Sequence, residues 1–83
     1  MKLVYFAWVR ERIGRNDEEL ALPADVVTTA DLLGWLKKRG PEYEAALAEP
    51  RAIRVAVDHV HARPDTPLAG AREVALFPPM TGG

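Results

Sequence analysis

Eighty-three residues and 9.2 kDa, at 48% hydrophobic and 28% charged, give room for one small soluble domain with a modest core. The chain has no cysteine, which excludes disulfides, thiolate zinc sites, iron–sulfur clusters and any thiol nucleophile. A formal net charge of -1 supplies no field for a polyphosphate backbone, so no nucleic-acid partner is expected.

The first apolar run, Lys2 to Val9, is β-branched and aromatic and predicts a strand. Alternation sets Val4, Phe6 and Trp8 on one face and Leu3, Tyr5 and Ala7 on the other. Both faces are apolar, as in a central strand or a strand with one covered and one sticky surface. Arg10, Glu11 and Arg12 close the run, so it reads as neither a signal peptide nor a membrane span. The expected address is the cytoplasm, with no membrane partner. Val9 and Ile13 lie four apart and predict a helical turn stopped by Gly14. Glu18 to Leu22 predicts a second strand ended by Pro23.

Thr28 to Arg39 is the clearest helix. Thr28 and Asp31 form a capping-box pair, Val27 and Leu32 suit a hydrophobic staple, and Leu32, Leu33 and Leu36 form the inward stripe. Lys37, Lys38 and Arg39 complement the dipole, and Gly40 and Pro41 stop the helix. Gly34 costs on the order of 1 kcal/mol against Ala, which suggests the close approach of a neighbouring element. Pro41 to Ala48 predicts a short second helix with Tyr43 and Leu47 inward. Ile53 to Val57 is a strand, Asp58 to His61 a turn or short strand, and Pro64, Pro67 and Gly70 mark a loop. Glu73 to Phe77 is the last strand, with Val74 and Leu76 on one face and Ala75 and Phe77 on the other. This order predicts an α+β, β-grasp layout: a mixed sheet with one main helix packed across it.

The chain then reads as a body over 1–77 and a flexible tail over 78–83. Pro78 cannot donate to a ladder, and Phe77 and Pro78 each precede a proline and are held extended. Six tail residues at about 3.3 Å each reach roughly 20 Å, enough to carry the terminal carboxylate into another protein's pocket. Gly82 and Gly83 lack Cβ atoms and fit a backbone-wide channel. Two terminal glycines arise by chance about once in 200 chains, so Gly-Gly gains its force from the strand and double proline before it. A carboxylate is a poor electrophile until activated, most directly as an acyl adenylate. The chain has no phosphate loop, so a partner must activate it. The activated glycyl carbonyl then accepts an amine or a sulfur donor.

Tyr5-Phe6-Ala7-Trp8-Val9-Arg10-Glu11 with Gly14, Val55-Ala56-Val57-Asp58, Thr66-Pro67-Leu68 and Glu73 through Gly83 resemble the small subunits of molybdopterin synthase, the MoaD-type sulfur carriers of the ubiquitin-like β-grasp proteins. The resemblance spans the whole chain, and its C-terminal block is the most specific part. Asp58 stands where that family usually has Asn, Gly70-Ala71-Arg72 replaces an Asp-Gly-Asp-type loop, and His61 replaces a more typical apolar residue. The resemblance implies that an E1-like, MoeB-type enzyme adenylates Gly83 with Mg-ATP and that a sulfur donor converts it to a thiocarboxylate. The tail would then enter the MoaE-type large subunit and give sulfur to a cyclic pyranopterin monophosphate in molybdenum cofactor biosynthesis. Two large and two small subunits would form the assembly. The chain itself would bind no cofactor and no metal, and the active pocket would lie on the large subunit.

Partner contacts are expected at Phe77, Pro78, Pro79, Met80 and Thr81, and at Arg10, Phe6 and His61. Arg10, Arg12 and Arg15 form a basic cluster that is either solvated surface or a docking patch for acidic groups. An outer apolar face of Phe6 or Tyr5 with Trp8 and Phe77 is either core or interface. His59 and His61 share a face if extended, but with Asp58 they are too few for a convincing metal site. The competing readings are a ubiquitin-like protein modifier, a thiamine-type sulfur carrier and a plain interaction module.

Overall fold

The computed structural model describes residues 1–79. Strand β1 (Lys2–Tyr5) leads into helix α1 (Ala7–Ile13) and then strand β2 (Asp17–Glu19). Helices α2 (Thr29–Lys37) and α3 (Pro41–Ala46) follow, with a 3₁₀ turn at Pro50–Ala52. Strands β3 (Arg54–Val57), β4 (Val60–His61) and β5 (Glu73–Phe77) complete the five-stranded sheet, in the order β2-β1-β5-β3-β4. β1 and β5 are parallel and the other pairs antiparallel, so the sheet is mixed. The last strand in sequence is the central strand in space.

Period-two alternation divides the sheet into two faces. Leu3, Tyr5, Val55, Val74 and Leu76 are buried on the inner face with Leu32, Leu36, Tyr43 and Leu47. Tyr5, Leu76 and Val55 are in register, so this core row crosses three strands. Leu33 is only half-buried and forms the margin of the helical stripe.

Five local expectations change. The first strand ends at Tyr5 rather than Val9. The Phe6 N–H still reaches the Leu76 carbonyl, but Ala7 turns to φ 52 and opens α1. Val9 and Ile13 then reach the core at helical rather than strand spacing, and Gly14 closes the helix at φ 88. The second strand is Asp17–Glu19 rather than Glu18–Leu22. The main helix is capped by Thr28 with both capping-box bonds, but ends at Lys37 before Gly40. Val27 remains 53% exposed, so its side chain is no staple. A Cβ on Gly34 would meet nothing within 4 Å, so no close-packed neighbour explains that glycine.

Glu18 ties β2 to the rest of the fold. Its side chain is 7% exposed; the Tyr5 and Tyr43 hydroxyls donate to its Oε2 at 2.7 and 2.6 Å, and Arg39 donates to its Oε1 at 3.0 Å. Burial pushes this carboxyl up, but the hydrogen bonds from Tyr43, Tyr5 and Arg39 outweigh burial and hold it below its ordinary value. Burial first, then the bond to Glu18, drives the Tyr5 phenol far above its own.

Candidate functional site

The outer sheet face is organised around β5. A row in register runs Asp17, Val4, Ala75, Ala56, His61 across all five strands. The next position pairs Phe77 with Arg54. Val4, Ala56, Ala75 and Phe77 are all only part-buried, and among the described residues no helix lies over this face. It is an apolar stripe at the centre of the sheet, shouldered by Arg54 and His61. The small side chains of Ala56 and Ala75 make its floor shallow beside Phe77. Val4 and Ala75 were legible from strand alternation; Ala56 required the register.

Phe77 sits where β5 ends, and the His61 ring meets it edge-on at a centroid distance of 5.7 Å. Phe6, 46% exposed, lies at the same end of the sheet because β1 and β5 are parallel. Pro78 and Pro79 continue from Phe77 and are half-buried. The structure thus gathers Phe6, Phe77, His61, Pro78 and Pro79 at one end of the central strand. Tyr5 is 1% exposed and belongs to the core, which settles the outer aromatic as Phe6. Trp8 lies against the core margin under the Arg12 guanidinium, 4.6 Å from its ring centre, and is not part of the open face. The positive φ of Ala7, a strained backbone for a residue with a Cβ, lies beside Phe6. Met80, Thr81, Gly82 and Gly83 lie outside the described residues.

The basic cluster separates. Arg12 stacks on Trp8 and Arg15 approaches Glu18 at 3.3 Å. Arg10 is exposed and makes no ion pair among the described residues. Of the three, it is the one left open to a partner.

Asp58 and His59 have a structural role that their spacing did not suggest. Both have positive φ, 48 and 70, in a two-residue hairpin between β3 and β4. The backbone N–H groups of Glu73 and Arg72 each donate to Asp58 Oδ1 at 2.9 Å, and these bonds hold the carboxyl below its ordinary value. Asp58 therefore anchors the start of β5. His59 lies in the turn, so the extended face it was expected to share with His61 does not form. Its Nε2 lies 3.8 Å from Glu73. Among the described residues, no three His, Asp or Glu side chains gather as a metal site.

The central strand of this sheet leads directly into Pro78 and Pro79, ahead of Met80-Thr81-Gly82-Gly83. The ThiS family model matches residues 3–83. The chain belongs to the ThiS family. Within that family it is a MoaD-type sulfur carrier. It is 35% identical over 83 residues to the molybdopterin synthase sulfur carrier subunit of Escherichia coli, covering 100% of this chain and 99% of that one. The Dictyostelium discoideum protein of the same name is 30% identical, covering 99% and 94%. Among solved structures, SAMP1 from Haloferax volcanii superposes with a TM-score of 0.77 at 27% identity, covering 100% of this chain and 98% of that chain. A protein of the molybdopterin converting factor subunit 1 type from Pyrococcus furiosus gives 0.76 at 28%, covering 95% of each chain. These neighbours confirm the ubiquitin-like β-grasp fold. Among the described residues, no helix is long and apolar enough to cross a membrane.

Proposed function

We propose that the Gly83 carboxylate is the reacting group of this family member and that the open sheet face is its docking surface. A carboxylate oxygen attacks the α-phosphorus of ATP on a MoeB-type partner that supplies Mg, releasing pyrophosphate. A sulfur donor then displaces AMP and leaves a thiocarboxylate. The tail enters a MoaE-type large subunit, where the thiocarboxylate gives its sulfur to a cyclic pyranopterin monophosphate.

The observation that carries this reading is the placement of Phe77. The last side chain before the double proline stands on the apolar outer face, beside Phe6 and His61. A partner that covers this face receives the tail at the same place. The names of the relatives, sulfur carrier subunits of molybdopterin synthase, support the same chemistry. No cysteine is needed, because the sulfur is held as an acyl sulfur on the terminus.

Intact mass spectrometry tests the proposal after incubation with Mg-ATP, the adenylating enzyme and a sulfide source. The expected product has one oxygen replaced by sulfur at Gly83. A second reading, a protein modifier, draws on the likeness to SAMP1, whose full name is small archaeal modifier protein 1. That reading predicts isopeptide conjugates on lysines of other proteins. Conjugates without a thiocarboxylate would decide for the modifier.

A further inference from the structure

The β3–β4 edge of the sheet carries a second surface, beside the Phe77 stripe but with a different apolar lining. Between α2 and the β3–β4 end of the sheet lies a solvent-open cleft of about 700 Å³. Leu33, Ile53, Val55 and Ala62 make its apolar lining. Lys37, Arg51, Arg54 and Arg63 border it from separate segments, with His61 beside them, and no carboxylate lines it. None of these lysine and arginine side chains forms an ion pair among the described residues. The overall charge is -1, so this concentration of positive charge is local.

Gly34 provides an independent observation. It lines the cleft, lies within α2 and has open space where its Cβ would stand. Glycine is a poor helix former, and neither a positive φ nor a close neighbour requires it here. Its effect is to keep the cleft wall low.

We infer that this cleft docks an acidic polypeptide segment bearing aliphatic side chains, supplied by a partner protein. Aliphatic groups would cover Leu33, Ile53 and Val55 over the low wall at Gly34. Carboxylates would meet Lys37, Arg51 and Arg63 at the border. The distribution of charge favours a polypeptide over a phosphate ligand. The cations come from separate segments, α2, the 3₁₀ turn, β3 and the chain after β4, and the first three N–H groups of α2 already donate to the Thr66 and Pro64 carbonyls and to Thr28 Oγ1. The inference does not depend on sulfur transfer: the cleft shares Arg54 and His61 with the edge of the Phe77 stripe, but Leu33, Ile53, Val55 and Ala62 are not part of that stripe.

The test is selection of binders from a random peptide display library on the full chain, followed by amide chemical-shift mapping of the selected peptides. Expected are sequences that mix acidic and aliphatic residues, with shifts centred on Leu33, Arg51 and Ala62. Gly34→Leu starts a side chain from a Cβ position in open space, raises the cleft wall and should weaken these peptides about tenfold or more, as loss of a central contact does. Arg51→Glu combined with Arg63→Glu should weaken them similarly. Both variants should still accept sulfur at Gly83. Selected sequences without acidic residues, shifts on the Phe77 face, or unchanged binding by Gly34→Leu would overturn the inference. Shifts of the cleft amides by inorganic phosphate or phosphatidylserine vesicles, matching those of the peptides, would also overturn it by assigning the cleft to another class of ligand.

Discussion

Removing the Glu18 carboxylate strands two phenol hydroxyls and a guanidinium at once. Tyr5, Tyr43 and Arg39 all donate to it, and its side chain is 7% exposed. Glu18→Ala should therefore cost about 3 kcal/mol, within the range for orphaning partners of a buried charge. Urea unfolding monitored by far-UV circular dichroism checks this. The same carboxylate sets a pH dependence. Its folded value lies below its unfolded value, so its contribution is complete above the unfolded pKa of about 4.3 and is lost as pH falls through the folded pKa. Thermal melts from neutral pH into the acid range should show a falling midpoint, and Glu18→Gln should flatten that fall. His59 presents the opposite case, a residue whose backbone opposes its side chain. At φ 70 in an exposed turn, His59→Gly should stabilise the fold by roughly 0.5–1 kcal/mol. An unchanged or lower urea midpoint would show that the 3.8 Å approach to Glu73 offsets the relief.

At the scale of elements, α2 shows what local chemistry can specify. Thr28 accepts from the Asp31 N–H while Asp31 accepts from the Thr28 N–H, so the start of the helix is written within four residues. Thr28→Ala should cost about 1 kcal/mol, read as a shift in the urea midpoint. β5 was legible for a similar reason: Glu73–Phe77 alternates cleanly and Pro78 ends it. The boundary between β1 and α1 was not. Lys2 to Val9 is apolar at every position except the first, so strand and helix periods fit it equally well. The break at Ala7 depends on a positive φ and on Val9 and Ile13 finding the core. The β3–β4 hairpin was obscured because its turn uses Asp-His in place of the Asn-Gly that marks such turns. The Glu18 cluster joins residues 13, 21 and 25 apart, a distance that no local pattern encodes. The tail motif was visible at once, whereas the face it springs from needed the strand register.

At the scale of the whole molecule, the strand order places the last strand, β5, at the centre of the sheet, where it carries part of the apolar stripe. This matters energetically. Fixing six tail residues in a partner's channel costs on the order of 6–12 kcal/mol of backbone entropy. Two of those residues are glycines with no side chains to bury, so tail contacts alone offset little of this cost. Docking would then depend on the body, where Phe77 and Phe6 are the largest apolar groups beside the tail. Phe77→Ala should weaken binding to a molybdopterin synthase large subunit by about 2 kcal/mol or more, as expected for a central aromatic contact. Its part-buried position predicts a smaller loss of folding stability than of affinity. Deletion of Gly83 should do the reverse of a docking mutation: it should leave the fold and much of the docking affinity intact while abolishing sulfur transfer. Calorimetric titration of the two variants against the large subunit, paired with a dithiolene-forming assay, separates these effects. Undiminished binding by Phe77→Ala would move the docking surface off this face. The chain lacking Gly83 still ends in a carboxylate, that of Gly82, so sulfur transfer by it would show that neither Gly83 nor the full reach of the tail is required.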